Sequence, residues 1–120
     1  MTSASGRLLS RLLALAGLAC GITLLARPQQ VADAVAPAFP ADKTWLVRAL
    51  GIRLLVQHGA VLVSPSPAVI RASSAVDLVH AASMVPFVAS TQYGRAARIT
   101  GGVAAAYAAV ALALTPSSDS

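Results

Sequence analysis

The sequence predicts an all-α integral membrane protein, an up-down four-helix bundle with a short interfacial helix between helices 1 and 2. Three observations lead there. First, the chain is a single domain of 120 residues, 57% hydrophobic and only 11% charged, whereas soluble domains carry about 25% charged residues. Four acidic and nine basic side chains do not clothe a soluble globule of this hydrophobicity; the bilayer is the solvent that fits. Second, apolar runs of about 18–22 residues recur, matching a hydrocarbon core of roughly 30 Å at 1.5 Å per residue. Third, most of the connections are short and rich in Pro, Ser and Gly, which makes neighbouring helices antiparallel.

Helix 1 is the run 8–26, interrupted only by Arg11 and ended by Arg27-Pro28. Gly17 and Gly21 form a small-xxx-small face that lets another helix approach closely. Arg7 and Arg11 ahead of an apolar run also fit a signal peptide, with Ala32-Asp33-Ala34 as a cleavage box. That box stands several residues beyond the run, which favours a retained helix. In the connection 28–44, Pro28 suits a first helical position and Val31 and Val35 share a face, so a short helix along the headgroups is expected, stopped by Pro37 and Pro40. Helix 2, 45–63, opens with Trp45 as an interface anchor. It is the least apolar of the four, holding Arg48, Arg53, Gln57 and His58.

Ser64-Pro65-Ser66-Pro67 is a turn and helix breaker. Helix 3, 68–90, carries Arg71, Asp77 and His80, and Pro86 kinks its far end. A second turn holds Tyr93 as the other interface anchor. Helix 4, 97–114, is alanine-rich, with Gly101 and Gly102 as helix-packing positions. Residues 115–120 form a polar tail expected to be disordered.

The net charge of +5 does not point to nucleic acid, because the basic residues stand singly at the ends of apolar runs without aromatic interleaving. They read as topology determinants and contacts to anionic lipid. With four spans, Arg7, Arg11 and Arg71 fall on one side and Arg27, Lys43, Arg48, Arg95 and Arg98 on the other. Total counting places the termini outside the cytoplasm, whereas the arginines flanking helix 1 place them inside, so both orientations stay open.

The turn at Pro65 is a depth ruler for the hairpin of helices 2 and 3. Arg53 and Asp77 are each twelve positions from it, so both lie about 18 Å from the turn. Charges at such depth face the bundle interior and pair, which predicts an Arg53–Asp77 pair. Gln57 lies one turn from Arg53, and Ser73 one turn from Asp77 at the depth of Gln57. His80, three residues past Asp77, is placed to share its carboxylate, which would hold the ring in one tautomer. The candidate buried polar strip is Arg53, Gln57, Ser73, Asp77 and His80. It either sets the register of two helices or forms a pocket for a small anion, a lipid headgroup, a quinone-like carbonyl or a proton.

No metal or cofactor is expected. His58 and His80 are seven and fifteen positions from Pro65, a depth difference of about 12 Å that a single ion does not bridge. His58 is expected as an interhelical hydrogen bonder. The lone Cys20, in an apolar run, reads as a packing residue. No Gly-x-Ser-x-Gly elbow is present.

Arg48-Ala-Leu-Gly51-Ile-Arg53-Leu-Leu-Val-Gln57, then a Pro turn, then Val76-Asp77-Leu-Val-His80-Ala-Ala-Ser-Met84, resembles small actinobacterial four-helix membrane proteins of unknown function, DoxX-like in size and layout. The likeness covers residues 45–84, and the remainder by helix count. It implies a four-helix membrane architecture. Some DoxX-like proteins are linked to redox and membrane-stress partners, but this chain has no cysteine pair or haem-ligand arrangement for such chemistry. The expected protein is thus a multi-pass component of the plasma membrane, an accessory or partner-binding subunit without catalytic activity that meets lipid and another membrane protein or its own copy. The alternative is a ligand- or proton-handling protein using the Arg53/Gln57/Asp77/His80 strip.

Overall fold

The computed structural model describes residues 3–115. Five α-helices follow one another: α1 (Ser3–Ala26), α2 (Pro28–Val35), α3 (Thr44–Val63), α4 (Pro67–Met84) and α5 (Gly94–Leu114), with 3-10 turns at Ala41–Lys43 and Val85–Phe87. No strand occurs among the described residues. Four of the helices are long and apolar enough to cross a membrane.

Local chemistry explains the boundaries. Pro28 and Pro67 each occupy the first turn of a helix, where a missing N–H costs nothing. Ser66 caps α4 by accepting from the Val69 N–H at 3.3 Å. The expected helix 68–90 is shorter, because α4 stops at Met84 and the chain tightens into the 3-10 turn around Pro86, which cannot donate to the helical ladder. The first helix starts five residues earlier than Leu8, and the last starts at Gly94 instead of Ala97. Gly94 permits this: a Cβ there would stand 2.8 Å from the Val88 carbonyl oxygen. Residues 116–120 of the expected tail lie outside the described residues.

The packing resolves into two tight pairs, α1 with α3 and α4 with α5, while α3 and α4 meet only loosely. At the first pair, Gly21 and Gly51 oppose each other, and the His58 ring occupies the space a side chain on Gly17 would need. At the second, Gly101 lies against Met84 and Ala81, flanked by buried Ala97, Ala104 and Ala108. Gly102, expected as a packing position, instead faces outward with nothing within 4 Å of its Cβ direction. Adjacent helical residues point about 100° apart, so only one of the two glycines faces α4.

The distribution of side chains is inverted relative to a water-soluble bundle. The buried positions are mainly alanine and glycine with Ser10, Gln57, His58, Ser74 and Asp77, whereas Leu8, Ile22, Ile52, Val56, Val79 and Val103 are exposed. Trp45 is exposed at the start of α3. Tyr93 is half-buried between Phe39 and Phe87, edge-on to each ring at centroid distances of 5.6 and 6.0 Å.

Candidate functional site

The polar strip crosses the loose seam between α3 and α4. On α3, Arg53 Nη1 donates to Gln57 Oε1 at 2.7 Å. The Gln57 amide then donates across the seam to Ser73 Oγ at 2.9 Å and to the Ser73 carbonyl at 3.2 Å. Arg53 Nη1 also approaches Asp77 Oδ1, at 3.5 Å. That separation is long for a charge-assisted bond, which lies near 2.7–2.9 Å. Gln57 is therefore the hub that joins the two helices, and Asp77 is held at the edge of the guanidinium.

His80 departs from the expected strip. Its Nε2 lies 3.0 Å from Thr100 Oγ1 on α5, and no bond to Asp77 forms. Thr100 Oγ1 donates its own proton to the Ala96 carbonyl at 2.9 Å, so it accepts from His80, which assigns the ring proton to Nε2. The reason is rotational. A three-residue step leaves His80 about 60° around α4 from Asp77, enough to turn one toward α5 and the other toward α1 and α3.

Asp77 points to the middle of the molecule. It lies on a chamber of about 20 Å³, which all four long helices line: Ser10 from α1, His58 from α3, Ser73 and Asp77 from α4, and Tyr107 from α5. A chamber of this volume suits one water molecule. Asp77 is 3% exposed. Tyr107 Oη donates to the Leu13 carbonyl at 3.1 Å, and its ring meets that of His58 edge-on at 5.1 Å. His58, expected as an interhelical hydrogen bonder, instead packs its ring against Gly17 and edge-on to Tyr107. Ala14, Val61 and Ile70, which also line the chamber, make a small apolar core.

Two buried polar atoms, Arg53 Nε and Ser74 Oγ, have no hydrogen-bond partner. Among the described residues no three His, Cys, Asp or Glu side chains converge on a common point.

Sequence reasoning missed Ser10, Tyr107, Thr100 and Gly51. Ser10 was visible as a member of the small-residue face that runs through Gly17 and Gly21. Tyr107 was visible as the single polar aromatic within an alanine-rich helix. Thr100 carries no signal, because threonine is unremarkable in any helix.

The chain matches no protein-family model, no curated protein and no solved structure. The class is accordingly defined by geometry: an all-helical bundle of two helix pairs with a polar centre and an apolar exterior.

Proposed function

We propose that this is a multi-pass protein of the plasma membrane in which α1, α3, α4 and α5 cross the bilayer, α2 lies at the headgroups, and the bundle serves as an accessory or partner-binding subunit without catalytic activity. The observation that carries the membrane part is the inverted burial. Large apolar side chains such as Val56 and Val79 face out, at 70% and 69% exposure, while Asp77, Gln57 and His58 face in. In water that arrangement is costly, and in hydrocarbon it is the favourable one. The long axis of the molecule, 47 Å, also suits a bilayer of about 40–45 Å with its headgroups.

The partner reading draws on α5, whose outer face presents Gly102, Ala105, Ala106, Ala109 and Ala113, a surface on which a further helix packs closely. The DoxX-like layout belongs to the same proposal. Alkaline carbonate extraction of native membranes tests the first part: the chain stays in the pellet, and its release would refute bilayer insertion. Cross-linking from Ala106→Cys in a Cys20→Ser background tests the second. A cross-linked partner or dimer is expected, and none from this position would refute the α5 surface.

A second reading has its own support. A strip serving only to join two helices is expected to have its buried polar atoms satisfied, yet Arg53 Nε and Ser74 Oγ are unpaired and Asp77 adjoins the central chamber. These features favour a bundle that handles a proton or small ligand at Asp77. Replacement of Asp77 by Asn in a membrane-energised assay of native vesicles tests it: loss of phenotype with preserved folding supports it, and preserved phenotype refutes it.

A further inference from the structure

At the end of the bundle formed by the α1 N-terminus, the α3–α4 turn and the α5 C-terminus lies an open groove of about 600 Å³. Arg7, Arg11, Ser64 and Ser66 line it as a polar rim, and Ile70 and Leu114 stand among its apolar walls. Arg7 and Arg11 are one helical turn apart and so share a face of α1. Among the described residues no acidic side chain lines the groove. The acidic side chains among the described residues are placed elsewhere: Asp77 beside Arg53, Asp33 bonded to Gln29, and Asp42 in the connection before α3.

Two arginines on one helix face that line the same cavity, with no carboxylate among the described residues lining it, call for an anion. Phosphate oxygens accept from guanidinium forks in good geometry, the serine hydroxyls add donors, and the apolar walls suit a hydrocarbon chain. At the opposite end Arg98 spends Nη1 on the Val88 carbonyl at 2.6 Å. We infer that this groove binds the phosphate of an anionic membrane lipid, with Arg7 and Arg11 holding the phosphate oxygens and the Ile70–Leu114 side receiving the start of an acyl chain. The inference rests on the membrane reading above, because only there does the groove lie at headgroup level.

The test uses the full chain in nanodiscs of mixed phosphatidylcholine and phosphatidylglycerol, with retained lipid read by native mass spectrometry after release. The unmodified protein keeps phosphatidylglycerol in preference to phosphatidylcholine. Arg7→Gln/Arg11→Gln lowers that preference by about tenfold or more, and Arg7→Lys/Arg11→Lys keeps part of it. The matched variant Arg48→Gln/Arg95→Gln, which removes two charges at the other end, leaves it unchanged. Equal loss in the matched variant would mean diffuse attraction and overturn the site. Displacement of the retained lipid by millimolar inorganic phosphate would mean a free-anion site and overturn the lipid assignment. Failure of the chain to enter nanodiscs at all, read by size exclusion, would instead overturn the membrane reading and this inference with it.

Discussion

Arg53 gives its shortest hydrogen bond, 2.7 Å, to Gln57, one turn away on its own helix. Gln57 thereby orients the guanidinium and, through its amide, reaches Ser73 on α4. A neutral side chain thus carries the bridge between the two helix pairs, with the ion pair at 3.5 Å as a longer contact.

Replacing Gln57 by Leu removes both halves of that bridge. The expected loss is about 1–3 kcal/mol, because a half-buried guanidinium and the Ser73 hydroxyl lose partners together. Unfolding in a mixed-detergent titration measures it. A neutral result would mean that the bridge contributes nothing to the stability of the seam.

Asp77→Asn leaves Arg53 without a compensating charge. Its side chain is 25% exposed, so the expected cost is about 1–3 kcal/mol, below that of breaking a fully buried pair. Adding Arg53→Gln recovers part of that loss. Thermal stability of both variants in detergent decides the matter, and a double variant that is simply the sum of its parts would show that the two charges are uncoupled.

Across α1 and α3, a Cβ on Gly51 would stand 2.8 Å from the Gly21 carbonyl oxygen, and one on Gly21 2.9 Å from that of Gly51. Gly51→Val must spread two helix backbones, and the expected destabilisation is about 1–3 kcal/mol. Gly102→Val, on an open outer face, is the control and changes stability by no more than about 0.5 kcal/mol. Both are read from the same melting curves, and a similar effect at the two sites would contradict the α1–α3 contact.

His80 and Thr100 tie α4 to α5 at 3.0 Å. A double-mutant cycle with His80→Ala and Thr100→Val is expected to give a coupling of about 0.6–1.7 kcal/mol, the range of interhelical hydrogen bonds in membranes. The companion cycle of His80→Ala with Asp77→Asn gives a smaller value, since no hydrogen bond joins those two. A larger coupling to Asp77 would reverse the assignment of partners.

Much of the fold was legible in the amino-acid order because it depends on short-range chemistry. Apolar runs of helical length, Pro28 at a helix start, and the Ser64-Pro65-Ser66-Pro67 break are local signals, and they place the five helices to within a few residues at most ends. The far end of α4 was misjudged because an apolar residue after Pro86 reads the same in a helix or in a turn. Depth along a hairpin is also nearly local: counting from Pro65 puts Arg53 beside Asp77 and Gln57 beside Ser73, as distance along a helix is fixed at 1.5 Å per residue.

Rotation about each helix axis and the choice of neighbour are not local, and only the tertiary structure decided them. The pairing of α1 with α3 and of α4 with α5 follows from which small-residue faces fit together, Gly21 on Gly51 and Gly101 on Met84. That pairing turned His80 toward Thr100, pointed Gly102 outward, and gathered Ser10, His58, Asp77 and Tyr107 around one chamber. Sequence spacing fixes how far along a helix a residue stands, but packing energy, summed over whole faces, fixes where it points.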